Sequence, residues 1–318
     1  MGFFCIFVLT KTSKMSTKFI SPTLFLLIFI FFNSTESKAQ FRDFYVEPCT
    51  DSLSVINLFD SVFFSNLPPQ TISNLTFKGD PTAVGYFSDG FFLGFDSGKG
   101  IVLTTGSVQD CDHSNICNSS ANASTYNNGI SGDEDLVALL GGSTQSYDAC
   151  IIEFDFKPVN ESIEFEYVFA SEEYHEYVFA SFNDVMGMFL SGEEISGPYS
   201  NNSKNIALIP GTNTAVSINN INFEKGGKTC EGKPPGCTNC QYFKDNSQSS
   251  DPAFNKFVYD ALTVPLMTTH NILHGKWYHI KIVIGDAGDH IFDSALFLGK
   301  KSFKTGYIQP NYSPMIMD

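Results

Sequence analysis

The stretch Ile151-Ile-Glu-Phe-Asp-Phe156, followed by Ile163-Glu-Phe-Glu-Tyr-Val-Phe169, decides the fold class of this chain. Apolar side chains alternate with Glu and Asp in both segments, so each segment has one apolar and one charged face. Alternation with period two is typical of half-buried β-strands. Residues 278–284 repeat the pattern around His279 and Lys281. Because Lys157–Asn160 resembles a turn, the first two segments are predicted to pair as a hairpin.

Further short apolar segments bounded by Gly, Asn and Ser extend this pattern along the chain. The predicted strands are 100–105, 185–190, 205–209, 215–223 and 294–298. Many short strands separated by such turns are typical of sandwiches and jelly rolls. The sequence therefore predicts an all-β fold, an antiparallel β-sandwich or jelly-roll-like domain, with long loops at 107–132 and 225–252.

One or two short helices are predicted as well. Asp51 or Ser52 would cap the first, and the Pro68-Pro69 pair would end it. Its apolar face would consist of Val55, Leu58, Phe59 and Val62. The second is predicted over Leu136–Leu140, with the acidic run 133–135 in or before its first turn.

The first 39 residues have the composition of a signal peptide. Three lysines precede the nine apolar residues Leu24–Phe32, and Ser37-Lys38-Ala39 supplies small residues at a cleavage site. A membrane span needs about 20 apolar residues, so this run is too short for one. We expect export, cleavage before Gln40, an extracellular location, secreted or at the cell surface, and no membrane span in the mature chain. Met15 is an alternative start.

The charge of the mature chain excludes some partners. Loss of residues 1–39 takes away four Lys and one Glu, which leaves 15 basic and 33 acidic residues. Such an acidic chain lacks the basic footprint that nucleic acids require. An acidic surface favours solubility and is compatible with bound divalent cations.

Cysteines that lie close together in an exported chain predict disulfides. Cys111 and Cys117 enclose a short polar segment and are predicted to pair. One bridge is predicted within the loop that holds Cys230, Cys237 and Cys240, and Cys49 and Cys150 are candidates for a long-range pair. Zinc at 237–240 would need a second pair of ligands at matching spacing, which the sequence does not offer.

An ordered set of motifs also marks a resemblance. The motifs are GIVLTTG at 100–106, DEDL at 133–136, DACIIEFDFKP at 148–158, FEYVFASEEY at 165–174, NIALIPGT at 205–212, and YHIKIVIGDAGD at 278–289. In this order they resemble the choice-of-anchor L domain of exported Bacteroidota proteins. The resemblance implies a secreted or surface module and supplies no biochemical activity.

The domain prediction follows from the leader and the motifs. Residues 1–39 are a signal peptide, and 40–305 form one choice-of-anchor L-like domain. Residues 306–318 are a tail. We expect either a short secreted form or a truncated sequence, since no sorting region follows the motifs.

Two groups of acidic residues are candidates for a site. Glu172, Glu173 and Asp184 lie at predicted strand ends, and they would form an ordinary polar end, a cation-binding cluster or a catalytic pair. Adjacent strand residues point to opposite faces, which weighs against catalysis by Glu172 with Glu173. A glycosidase would also need two carboxylates facing across a cleft.

The second group is Asp286, Asp289 and Asp293, three acids within eight residues between two predicted strands. Their side chains would either form turns with their own backbone or contribute oxygens to calcium. The spacing is not that of an EF-hand. A calcium site would therefore need ligands from other loops, and Glu172, Glu173 and Asp184 are the candidates.

These observations predict a non-enzymatic binding or adhesion module with an extracellular glycan or protein as its partner. A secreted hydrolase that uses Glu172 or Glu173 is the first alternative, and a structural spacer without a ligand is the second. No catalytic triad motif or phosphate-binding glycine loop is present in the sequence. Calcium is the only cofactor that the sequence suggests.

Overall fold

The computed structural model describes residues 44–111, 127–223, 236–246 and 257–305. The chain divides into two units, Met1–Gln40 and Phe41–Asp318, and every described residue lies in the second. The predicted signal peptide and the predicted tail at 306–318 lie outside the described residues.

Thirteen strands dominate the described part of the chain. In chain order they are β1 (Tyr45–Pro48), β2 (Ile72–Lys78), β3 (Val84–Ser88), β4 (Gly100–Thr104), β5 (Ser146–Phe156), β6 (Ser162–Ser171), β7 (Val185–Gly192), β8 (Lys204–Asn205), β9 (Phe243–Asp245), β10 (Ala261–Thr263), β11 (Leu266–Asn271), β12 (Tyr278–Ala287) and β13 (Ser294–Gly299).

The strands form two antiparallel sheets. One has the order β1-β3-β4-β13-β6-β10-β9, with β11 also paired to β6, and the other has the order β2-β5-β12-β7-β8. Apolar residues of both sheets belong to one continuous buried cluster. The predicted all-β sandwich is therefore confirmed.

The predicted hairpin of residues 151–156 and 163–169 is wrong. β5 pairs with β2 and β12 in the five-stranded sheet, whereas β6 pairs with β13, β10 and β11 in the other sheet. The connection between them crosses from one sheet to the other. Alternation shows only that each strand has an apolar face. Two such faces can be buried side by side in one sheet, as in a hairpin, or opposite each other in two stacked sheets.

Two of the predicted strands differ from the structure. In the segment predicted at 205–209, only Asn205 lies in a strand, at the end of β8. The chain then turns at Pro210-Gly211, where the Ile209 amide donates to the Thr214 carbonyl at 2.9 Å. The segment at 215–223 contains a single helical turn, Ile218–Asn220, instead of a strand.

Both short helices form. Helix α1 (Ser52–Leu58) starts at Asp51, whose carboxylate accepts from the Ser54 amide at 2.7 Å, and it continues as a π-helical segment, Phe59–Phe63. Helix α2 (Glu134–Leu139) starts at Asp133, whose carboxylate accepts from two amides of the first turn. An N-cap carboxylate satisfies amides that have no partner inside the helix.

The core between the sheets is rich in aromatic side chains. Phe154 of β5 is fully buried, and its ring centroid lies 4.7 Å from that of Phe64 and 5.4 Å from that of Phe303. Such edge-to-face contacts add to the free energy gained from burial.

Truncation of this core residue should therefore be costly. We expect Phe154→Ala to lower the free energy of unfolding by about 3–5 kcal/mol, since it removes a buried ring and leaves a cavity. Denaturation in urea would measure the loss. The matched control is Phe91→Ala, because Phe91 is 58% exposed, and its effect should stay within about 0.5 kcal/mol. Equal effects of the two variants would contradict this account of the core.

Candidate functional site at one end of the sandwich

Carboxylates from both sheets meet at one end of the sandwich. In the five-stranded sheet, Asp184 directly precedes β7 and Asp286 lies near the end of β12. In the other sheet, Glu173 follows β6 and Asp293 directly precedes β13. Because antiparallel neighbours place the end of one strand beside the start of the next, each pair is brought together within its own sheet.

Asp184 links the two sheets. One of its oxygens accepts from the Ala287 amide at 2.9 Å, and the other accepts from the Ser294 hydroxyl of the opposite sheet at 2.6 Å. Ser294 is held in turn, because its amide donates to the Thr105 hydroxyl at 3.0 Å. Asp184 is 1% exposed. Both its oxygens have donors, so the burial of this carboxylate is partly compensated.

Other members of the group are less well compensated. Asp286 is almost fully buried, and in the described part of the chain neither of its oxygens accepts a hydrogen bond of normal geometry, although the nearby Thr105 hydroxyl lowers its pKa. Glu173 is buried to the same degree, and its Oε2 has no hydrogen-bond partner among the described residues. Buried charges without compensation are costly, so these two acids need protons or a cation.

The pKa values of these buried carboxylates are raised, as expected for charges that are poorly compensated. Burial, opposed by hydrogen bonds from Ser294 and Ala287, raises the pKa of Asp184 to about 7. Burial, followed by the charges of Asp184 and Asp289, raises the pKa of Glu173 to about 11. Burial and the carboxylates of Asp184 and Asp293 raise the pKa of Asp286 well above its usual range. The group therefore cannot be fully ionised at neutral pH without a counter-charge.

The structure brings most of the predicted acidic residues together. Asp289 is half-buried in the loop after β12, and its carboxylate accepts from the Ile291 amide at 3.0 Å, as the turn alternative predicted. It also acts electrostatically on both Glu173 and Asp184. Glu172 is 5% exposed, and its amide donates to the Asp293 carbonyl at 3.2 Å.

Sequence analysis missed two neighbours of this group. The fully buried Asp148 carboxylate lies 2.9 Å from His290 Nδ1 and also raises the pKa of Asp286. Asp148 lies in the strand motif DACIIEFDF, where it had no visible partner. Only strand pairing brings it beside a loop that lies 142 residues away in the chain.

No preformed metal centre is visible in the described residues. Within 44–111, 127–223, 236–246 and 257–305, no three His, Cys, Asp or Glu side chains form a group that could hold a metal ion. The carboxylates of Glu173, Asp184, Asp286 and Asp293 interact electrostatically but form no such group.

A family model for the choice-of-anchor L domain matches residues 46–304, most of the chain. The chain belongs to the choice-of-anchor L domain family. No curated protein and no solved structure was found to match it. Membership in this family suggests an extracellular, surface-associated protein. Among the described helices, none is long and apolar enough to span a membrane.

One of the predicted disulfides of this choice-of-anchor L domain is present. Cys237 and Cys240 are bonded, as predicted for the loop of three cysteines. The predicted Cys49–Cys150 bridge is not formed: both residues are buried free thiols. Burial raises the pKa of both, which suppresses the thiolate that disulfide formation requires.

The remaining predicted bridge falls partly outside the described residues. Cys117 and Cys230 lie there, so the predicted Cys111–Cys117 bridge stays a prediction. Cys111 itself is buried, with its Sγ 3.2 Å from the Tyr259 hydroxyl.

A second charged cluster lies on the outer face of the five-stranded sheet. The Lys281 ammonium lies 2.9 Å from Asp133 and 2.5 Å from Asp135, at the start of α2. The imidazole of His279 bridges two carboxylates of β5, at 3.0 Å from Glu153 and 2.8 Å from Asp155. The alternating pattern of β5 and β12 is enough to place Glu153, Asp155, His279 and Lys281 on one face of the sheet. Asp133 and Asp135 join them only in the folded chain.

The His279 bridge should make stability depend on pH. Its two carboxylate partners raise the pKa of His279 above 6.5, and His279 lowers the pKa of Glu153 below 4.5. The stabilisation that comes from protonated His279 is complete below pH 6.5, and it is lost as the pH rises through the pKa of His279 in the folded protein. The stabilisation that comes from ionised Glu153 is complete above pH 4.5, and it is lost as the pH falls through the pKa of Glu153 in the folded protein.

We therefore expect the melting temperature difference between wild type and His279→Gln to be largest between pH 4.5 and 6.5. Thermal melts across pH would measure it. His274→Gln serves as the control, because His274 is exposed and its Nδ1 lies 2.9 Å from the Val159 carbonyl rather than beside a carboxylate. A difference that does not vary with pH would refute the ionic role of His279.

Proposed function

We propose that this choice-of-anchor L protein is an exported, non-enzymatic binding or adhesion module, secreted or at the cell surface. Its ligand is an extracellular glycan or protein. Family membership supports the surface role, and the strongly acidic composition disfavours nucleic acids as partners.

The burial of the acidic group is the observation that carries the non-enzymatic part of the proposal. Glu172 and Glu173 are 5% and 1% exposed, so neither presents its carboxylate to a substrate. Burial also raises the pKa of Glu173 to about 11, far above the near-neutral pKa that suits a general acid or base. These properties disfavour the hydrolase alternative.

A binding experiment tests the proposed function directly. The chain, as secreted, is applied to a glycan array and used to capture proteins from cell surfaces, and release of sugar from the array is measured in parallel. We expect saturable retention of a glycan or a protein, without turnover. Sugar release would establish the hydrolase alternative, and absence of all binding would favour the spacer. Heat-denatured chain is the control for nonspecific adhesion.

We further propose that calcium stabilises the acidic end of the sandwich. The support is the pair of buried, poorly compensated carboxylates, Asp286 and Glu173, in a chain of acidic composition. Calcium takes six to eight oxygens, from carboxylates, carbonyls and water. The ion would have to draw the carboxylates closer together, since the described side chains do not already surround a metal position. The competing account is that Asp286 and Glu173 simply stay protonated.

The two accounts differ in their pH dependence. The raised pKa values mean that the folded state holds protons that the unfolded state releases. This stabilisation is complete below the ordinary pKa of about 4 and is lost as pH rises through the folded values, about 7 for Asp184. A bound cation would replace the lost protons, so its effect must increase over the same range.

Calcium at millimolar concentration should raise the melting temperature at pH 8 and have little effect at pH 4. At 100 times Kd the gain is about 2.7 kcal/mol. Asp286→Asn should abolish the response and stabilise the chelated protein at pH 8, because a neutral amide does not have to take up a proton when the chain folds. Asp60→Asn is the control, since Asp60 is exposed. A melting temperature that is indifferent to calcium at every pH would leave protonation as the explanation.

A further inference from the structure

A cleft lies at the end of the sandwich opposite the acidic group. Its volume is about 590 Å³, and ligand sites typically measure about 300–1,000 Å³. Residues from both sheets line it: Ser162 starts β6, Tyr278 starts β12, and Glu193 follows the last residue of β7. The acidic group lies at the other ends of the same three strands. The cleft is therefore separate from the proposed calcium site.

The walls of the cleft are fixed by hydrogen bonds. Tyr278 is 2% exposed, and its hydroxyl accepts from the Leu273 amide at 2.8 Å and donates to the Glu193 carbonyl at 3.3 Å. The Ile272 amide donates to the Glu161 carbonyl at 3.0 Å. These bonds join the segments that follow β7 and β11 to the segment that precedes β6. A cleft that is already organised loses little entropy when a ligand binds.

Part of the lining is apolar. Ile195, Ile272 and Leu273 all line the cleft, and Ile195 and Leu273 are only half-buried. Covering apolar surface that still faces water is favourable. A ligand that fills the cleft therefore gains free energy from an apolar segment of its own.

The charged part of the lining is acidic. Glu161, Glu193 and Glu194 line the cleft and are exposed, and of the described residues that line it none is Lys or Arg. Lys276 pairs with Glu193 at 2.9 Å. Neither Glu161 nor Glu194 forms an ion pair with a residue of the described ranges. The cleft therefore disfavours anionic ligands and favours cationic ones.

His270 supplies an observation that does not depend on the glutamates. Leu266 and Thr268 of β11 are buried, and the alternation of the strand puts His270, which lines the cleft, on the same side. No residue of the described ranges forms a hydrogen bond with its ring nitrogens. Burial, followed by the charge of Lys204, which does not line the cleft, lowers the pKa of His270. The neutral ring has one nitrogen that accepts a hydrogen bond, so a ligand with N–H donors fits.

A lysine or arginine side chain has both features that the lining selects, an apolar stem and a cationic head with N–H donors. We propose that the cleft binds such a side chain of a partner protein, with the stem against the apolar wall and the head near Glu161, Glu194 and His270. The cleft equals the volume of about twenty waters in the liquid, so the residues on either side of the basic one also fit. This inference rests on the proposed function, and it selects a protein over a glycan as the ligand.

Titrations by saturation-transfer NMR on the secreted chain, with a chelator and at low salt, test the proposal. The probes are blocked glycine pentapeptides with a central lysine, arginine, norleucine or glutamate, and free butylamine. We expect the lysine or the arginine peptide to bind most tightly, because norleucine has the stem without the charge, glutamate has the wrong charge, and butylamine lacks the flanking residues. Added salt should weaken this binding, since exposed charges are screened.

Variants of the two unpaired glutamates locate the binding. Glu161→Gln and Glu194→Gln should each weaken binding of the basic peptide about two- to fivefold, as exposed ion pairs do, and the double variant should weaken it about tenfold. Glu47→Gln is the matched control, because Glu47 is an exposed glutamate of β1 that does not line the cleft. It should bind the peptide as the wild type does, and melting temperatures would confirm that all the variants fold.

Three results would overturn the cleft proposal. The first is that neither basic peptide binds, or that the norleucine or glutamate peptide binds as tightly. The second is that the double variant binds the basic peptide as well as the wild type does. The third is that butylamine binds as tightly as the lysine peptide, which would make a free amine, and not a protein, the ligand.

The outcomes also separate this inference from the proposed function. If the basic peptides do not bind but the glycan array retains the secreted chain, the cleft proposal is overturned and the binding function is retained. If neither the peptides nor the array and surface capture show binding, both proposals are overturned.

Discussion

The structure depends on one constraint: each sheet has an apolar face that must be buried against the other. The buried cluster between the sheets includes Ile152, Phe154 and Phe156 of β5 and faces Phe165 and Tyr167 of β6. This opposition is why β5 and β6 lie in different sheets although they follow each other in the chain. Burial of apolar surface, which is the dominant favourable term in folding, therefore overrides the local preference for a hairpin.

The same constraint creates the acidic group. Once the sheets are stacked, the ends of β6, β7, β12 and β13 meet, and their carboxylates are enclosed together. Asp184 accepts a hydrogen bond from Ser294 of the opposite sheet and so connects the two sheets at this end. The same group of buried carboxylates is electrostatically unfavourable when it is fully ionised. Buried carboxylates at such a place hold their protons up to a higher pH than exposed acids, whose charged form is stabilised by water.

Ion pairs join neighbouring strands on the outer face of the five-stranded sheet. The polar half of the alternating pattern puts Glu153, Asp155, His279 and Lys281 there, paired across β5 and β12. Antiparallel pairing puts His279 opposite Asp155 and Lys281 opposite Glu153, so that opposite charges lie side by side. Helix α2 then covers part of this face and adds its own carboxylates.

The alternation at 151–156, 163–169 and 278–284 was sufficient to predict the strands and the sandwich, because period two reports directly on which face is buried. Capping residues likewise predicted both helices, and the motifs predicted the family. Partner strands were not predictable, since the pattern has no information about whether two apolar faces lie side by side or opposite. The meeting of Asp184 with Ser294, the burial of Asp286, the contact between Asp148 and His290, and the pairing of Asp133 with Lys281 were therefore decided only by the tertiary structure. Each joins residues that are 110 or more positions apart in the chain, or depends on the stacking of the two sheets.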